Sequence, residues 1–130
     1  MDPRHARSVP LAPVRVLICD DEPSIRQLYR YAFEHEGVDV DEAGDGNECI
    51  AMAGAAHPDI IVLDLYMPIR DGLSALPELR HTCPQSRVLV VSAHAGVEIF
   101  GRSRALGATA CFEKLGFLRK IPDIVARYAA

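Results

Sequence analysis

Five residues in this chain have side chains that could handle a phosphoryl group together: Asp20, Asp21, Asp64, Ser92 and Lys114. Three carboxylates brought close repel, and each raises the others' pKa. A hard divalent cation removes that conflict, and carboxylate ligands with room for water suit Mg²⁺. Lys114 would bring a compact positive charge to one phosphoryl oxygen, and Ser92 a hydroxyl donor to another. A carboxylate can also attack phosphorus, giving an aspartyl phosphate. A metal and an ammonium would then neutralise charge developing on the transferred group. Asp64 is the expected nucleophile, because it ends the most apolar segment while the other acids come from elsewhere in the chain.

Singly these residues say little. An Asp-Asp pair is usually a helix cap, and a lysine after a strand is usually surface. Their weight comes from where they fall in the pattern of elements. Residues 14–19 form an apolar run broken only by Arg15 and ending at Asp20-Asp21, as a buried strand would. Pro23 suits a first helical turn, Ile25, Leu28, Tyr29, Ala32 and Phe33 follow at helical spacing, and Gly37 stops the helix. Residues 38–43 alternate apolar and acidic. Asp45 and Glu48 then look like a capped helix start, ending at His57-Pro58. Residues 60–65 are the most strand-like segment. A helix is expected over 74–81, with Ser74 as its cap and Pro77 in its first turn. Residues 88–91 form another strand, followed by Ser92. A thin helix over 97–106 carries Gly101 inside it, and residues 108–112 and 122–128 complete the set as strand and helix. Five strands alternate with five helices. Uniformly apolar central strands argue for a parallel sheet covered on both faces. In such sheets ligands sit at the carboxyl ends of the strands, which is where all five residues would converge.

The bulk properties fit one α/β domain. The chain has 130 residues, 49% of them hydrophobic and 25% charged, with net charge −4. That balance supports a sizeable core and lacks the basic footprint of a nucleic-acid binder. No apolar run approaches the length needed to span a bilayer. Residues 1–13 read as a flexible leader ahead of a domain over 14–130. Cys19, Cys49, Cys83 and Cys111 are far apart, with no C-x-x-C, and read as buried reduced thiols, which fits the cytoplasm.

In combination these motifs resemble the receiver domain of response regulators, the CheY-like family. The likeness rests on Asp20-Asp21-Glu22, on Asp64-Leu65-Tyr66-Met67-Pro68-Ile69-Arg70-Asp71-Gly72 matching D-x-x-M-P-x-x-D-G, on Ser92-Ala93, and on Gly107-Ala108 ahead of Lys114. It implies a flavodoxin-like (βα)5 fold, doubly wound, with strand order 2-1-3-4-5. It also implies that Asp64 is the phosphoacceptor. Asp21, Asp64 and the backbone carbonyl of Tyr66 would bind Mg²⁺, with Asp20 acting through metal-bound water. Ser92 and Lys114 would hold phosphoryl oxygens. The donor would be a phosphohistidine on a sensor histidine kinase or a histidine phosphotransfer protein, and the output an altered face for a downstream protein target. Catalysis would extend only to the chain's own phosphorylation and dephosphorylation.

Several positions depart from the family pattern. Cys111 stands where an aromatic switch residue is usual, and Phe112, one later, should point to the opposite face of the sheet. Leu115 replaces the proline that often follows the lysine, so no cis bond is expected there. Tyr66 and His94 occupy the positions flanking the acyl phosphate and are expected to shield it from water. The thin helix over 97–106 and the strand after it are the expected signalling face. Nothing of DNA-binding or catalytic character follows the last helix, so output is expected through protein contacts or within a longer regulator. Three other readings compete. A dehalogenase-like phosphohydrolase would need an Asp where Tyr66 stands. A flavodoxin-like electron carrier would be repelled by Asp20-Asp21-Glu22. An atypical receiver acting as an unphosphorylated protein-binding module is the alternative that Cys111 and Leu115 keep open.

Overall fold

The alternation of apolar runs and helix-period segments appears in the computed structural model, which describes residues 13–94 and 96–129. The expected leader lies outside the described residues except for Pro13. The elements are β1 (Arg15–Cys19), α1 (Pro23–His35), β2 (Asp39–Ala43), α2 (Gly46–Ala56), β3 (Ile60–Asp64), α3 (Gly72–Thr82), β4 (Arg87–Ser92), α4 (Val97–Ala105), β5 (Ala110–Glu113) and α5 (Phe117–Tyr128). The strands form one sheet in the order β2-β1-β3-β4-β5. All four pairings are parallel, with Leu17 opposite Ile61 and Leu63 opposite Val90 at the centre.

Strand alternation splits the core into two layers. On one face Leu17, Cys19, Ile61, Leu63, Val88 and Val90 pack against α2, α3 and α4. On the other, Val16, Ile18, Ile60, Val62, Leu89 and Val91 pack against Tyr29 and Phe33 of α1 and against Phe117, Ile121 and Ile124 of α5. Burial of β3 on both faces explains its unbroken apolar sequence. Cys111 and Phe112 fall in opposite layers, as expected. Cys111 packs with the α2–α4 layer and Phe112 with the α1–α5 layer, where it meets Phe117 edge-on at 5.5 Å.

Three sequence expectations are corrected. The third helix begins at Gly72, with Asp71 as its cap. The Asp71 side chain accepts from the Ser74 amide at 2.8 Å. An aspartate caps at least as well as a serine, so the helix starts earlier and Pro77 falls in its interior, removing the donor for the Leu73 carbonyl. The last helix begins at Phe117 rather than Pro122, because burying Phe117 and Ile121 against the sheet outweighs the bond lost at Pro122. Gly116, at φ 87°, supplies the left-handed turn before it. Finally, Cys19 and Cys49 are not free thiols. The end of β1 lies beside α2 with a Cα–Cα distance of 6.0 Å, and the two are joined as a disulfide, while Cys83 and Cys111 are free. Sequence spacing could not show this contact between residues 30 apart, and the support that reduced thiols gave to a cytoplasmic setting goes with it.

Candidate functional site

Each site residue owes its place to a strand end. Asp20 follows β1 directly, Asp64 is the last residue of β3, Ser92 the last of β4, and Lys114 follows β5. Because the strands are parallel, these ends meet along one edge of the sheet. One carboxylate oxygen from each of Asp20, Asp21 and Asp64 lies within 4.8 Å of the others. Asp20 and Asp64 are buried and Asp21 is exposed, so the cluster opens to solvent on the Asp21 side. Such a set fits a hard divalent cation: all ligands are oxygen, two are held rigidly by the sheet, and one side is left for water or phosphate.

Lys114 reaches into the cluster. Its Nζ lies 2.7 Å from Asp20 Oδ2 and 3.1 Å from Asp64 Oδ2. Burial by itself would lower the ammonium pKa, but the hydrogen bonds and charges of the two aspartates outweigh it and hold Lys114 above its ordinary range. For Asp64 burial dominates and raises the carboxyl, only partly opposed by the Tyr66 amide, which donates to Oδ1 at 3.2 Å, and by Lys114. The Asp64 carboxylate is thus held in an environment that disfavours its charge. Ser92 is fully buried, and its Oγ has no hydrogen-bond partner among the described residues. A buried hydroxyl without a partner is costly, and it leaves a donor free for an oxygen brought by a ligand.

The connection from β3 to α3 is held close to Asp64. The Gly72 amide donates to the Leu65 carbonyl at 2.9 Å, and a Cβ on Gly72 would run into the Asp64 backbone oxygen. In the same loop Ile69 adopts φ 67°, a left-handed conformation that a β-branched residue rarely takes, and its side chain is exposed. Tyr66 and His94 are both exposed at this edge, and Leu115 is 93% exposed with no cis bond among the described residues. Two groups escaped the sequence reading. The Glu22 amide donates to Asp20 Oδ1 at 2.9 Å, an Asx-turn that an Asp-x-Glu run could have signalled. The Arg26 guanidinium donates to the Asp20 carbonyl at 2.7 Å; only its position one helical turn past Glu22 hints at that.

Comparison with known proteins agrees with this fold. The response regulator receiver domain family matches residues 16–126. The probable transcriptional regulatory protein TcrX of Mycobacterium tuberculosis is 40% identical over 98 residues, covering 75% of this chain and 40% of that protein. Sporulation initiation phosphotransferase F of Bacillus subtilis is 29% identical over 114 residues, covering 88% of this chain and 92% of its own. The structure of Vibrio cholerae chemotaxis protein CheY4 superposes with a TM-score of 0.82 at 28% identity, over 90% of this chain and 99% of that one. The chain therefore spans less than half of TcrX but nearly the whole of the other two. With its sheet order, its acidic edge and this match, the chain belongs to the response regulator receiver domain family.

Proposed function

We propose that residues 14–130 form a phosphoacceptor domain, in which Asp64 takes a phosphoryl group from a phosphohistidine in an Mg²⁺-dependent reaction. The observation that carries this reading is the contact of Lys114 with both Asp20 and Asp64 inside a cluster of three carboxylates. An Asp64 carboxylate oxygen forms a bond to phosphorus as the phosphorus–nitrogen bond of the donor breaks, and the departing imidazole takes up a proton. Lys114 balances negative charge on the transferred oxygens, and the free Ser92 hydroxyl donates to another of them. Asp21, Asp64 and the Tyr66 carbonyl would hold the Mg²⁺, with Asp20 acting through a water. The ion supplies charge neutralisation at the phosphoryl oxygens. Hydrolysis of the acyl phosphate by water returns the free carboxylate. The donor is a sensor histidine kinase or a histidine phosphotransfer protein, met in the cytoplasm.

The altered face is α4 with β5. Only Ser103 of α4 is buried, and no residue of β5 is fully buried, so few contacts resist rearrangement there. An unknown downstream protein would read that face. Tyr66 and His94, exposed at the rim, shield the acyl phosphate from water. Replacing both with alanine is expected to speed phosphate release, and an unchanged lifetime counts against the shielding role.

The deciding experiment incubates the protein with Mg²⁺ and a small phosphodonor and reads intact mass for wild type and Asp64→Asn. One added phosphoryl group on the wild type, absent from the variant and absent when Mg²⁺ is chelated, is the expected result. A wild type that stays unmodified, or an Asp64→Asn protein modified equally, overturns the reading.

A further inference from the structure

Asp20 is fastened at every polar atom. Its amide donates to the Ala43 carbonyl of β2 at 3.1 Å, its Oδ1 accepts from Glu22, its Oδ2 meets Lys114, and its carbonyl accepts from Arg26 Nη1. Asp21, the next residue, is exposed, and no hydrogen bond holds its carboxylate among the described residues. Yet one of its oxygens lies within 4.8 Å of Asp20 and Asp64 oxygens. Its direction must therefore come from the backbone. The peptide unit joining Asp20 to Asp21 is planar, so fixing its oxygen fixes the plane from which the Asp21 side chain departs.

Arg26 is itself held. Its Nε donates to Glu42 Oε1 of β2 at 2.9 Å, and Glu42 also accepts from Arg30 Nε at 2.6 Å. Burial pushes the Glu42 carboxyl up, but the bonds from Arg30 and Arg26 outweigh it and keep the group below its ordinary value, a charged anchor at neutral pH. A guanidinium suits the task because its rigid fork spans two acceptors at once, here a carbonyl and a carboxylate from different elements.

Resting on the phosphoacceptor reading above, we infer that Arg26 is a positioning residue for the divalent cation, clamping the Asp20 carbonyl so that the Asp21 carboxylate faces Asp20 and Asp64, with Glu42 holding the clamp. If Arg26 were only a brace between α1 and β2, its loss would lower stability and leave cation affinity alone. As a positioning residue it sets that affinity.

The test measures Mg²⁺ binding by calorimetry on the full chain, together with the rate of modification by a small phosphodonor across Mg²⁺ concentrations. Arg26→Gln is expected to weaken Mg²⁺ about tenfold, the lower end of what losing a group that orients a ligand costs. The Mg²⁺ concentration for half-maximal rate should rise by the same factor, while the rate at saturation stays within about twofold, as for loss of uniform binding. Arg26→Lys, which keeps a donor but not the fork, should recover part of the affinity. Glu42→Gln, which leaves Arg26 in place with a weaker anchor, should fall between wild type and Arg26→Gln, and it carries the decision if Arg26→Gln does not fold. Wild-type Mg²⁺ affinity in these variants, with or without a drop in melting temperature, overturns the inference. So does a lower saturating rate with unchanged half-saturation. Failure of the wild type to bind Mg²⁺ would instead remove the phosphoacceptor reading and this inference with it, so the wild-type arm keeps the two failures apart.

Discussion

Lys114 is the residue on which the charge balance of the site turns. It is the ammonium bridging two buried carboxylates, one of which, Asp64, already has its pKa raised by burial. Replacing it with glutamine keeps length and some hydrogen bonding but removes the charge. Breaking a buried pair from one side costs about 3 kcal/mol or more, because the remaining charges are left uncompensated. Lys114→Gln should therefore melt well below wild type in the absence of divalent cation. Added Mg²⁺ should restore more stability to the variant than to the wild type, since a cation takes over the lost charge. The pH dependence follows from the direction of the Lys114 shift. A lysine whose pKa is raised on folding gives its full stabilisation below the ordinary value of 10.5 and loses it as pH rises through the folded value. The gap between wild type and variant should hold through neutral pH and close only in strong alkali. Thermal melts with and without Mg²⁺ across that range decide it. An equal melting temperature at neutral pH would mean that the pair contributes nothing. At this scale the sequence was informative about identity and silent about contact. The positions of Asp20, Asp64, Ser92 and Lys114 were legible as strand ends. The orphaned Ser92 hydroxyl and the Arg26 clamp were not, because one depends on which polar atoms fail to reach a buried hydroxyl and the other on where a long side chain turns back.

The elements explain why Asp64 is held so firmly. The chain leaves β3 at Asp64 and enters α3 at Gly72, and the Gly72 Cα lies against the Asp64 carbonyl. Gly72→Ala should thus displace either the helix start or Asp64, the proposed acceptor. A loss of roughly 2 kcal/mol, within the range for overpacking, and a large drop in phosphoryl uptake are expected together. Intact folding and full uptake in this variant would show that the loop relaxes without moving Asp64. Asp71 shows how legible such junctions are. It stood in plain view in the Asp71-Gly72 pair, yet the chain offers two capping side chains within four residues. Only the buried face of Ala75, Leu76 and Leu79 shows which one the helix uses. The same competition moved the start of α5. The proline suggested a first turn, but a buried Phe117 five residues earlier decided the matter. Strand type and order of occurrence came through because apolar runs report burial directly. Helix starts did not, because they are settled by which apolar side chains find the sheet.

Across the whole molecule, the sheet gathers chemistry on one edge and leaves its two sides to different helices, with Cys111 and Phe112 assigned to separate layers. On the proposed reading, a signal that starts at Ser92 and passes into β5 would meet an aromatic side chain on the α1–α5 side, where Phe112 packs on Phe117 and Lys120 lies 5.6 Å above its ring. The disulfide acts at this scale too. In the chain-entropy picture, a covalent loop spanning 30 residues stabilises the fold by about 3–4 kcal/mol. Labelling of the unfolded protein with an alkylating reagent should count two thiols, Cys83 and Cys111, before reduction and four after; four at the start would remove the bridge. The bridge also turns the stretch between Cys19 and Cys49 into a ring that carries α1, β2 and both Asp20 and Asp21. A protease that cuts anywhere inside that ring opens it without releasing a fragment. The nicked protein should run as one species on a gel without reductant and as two with it, so a cut through α1 would stay invisible until the thiols are freed.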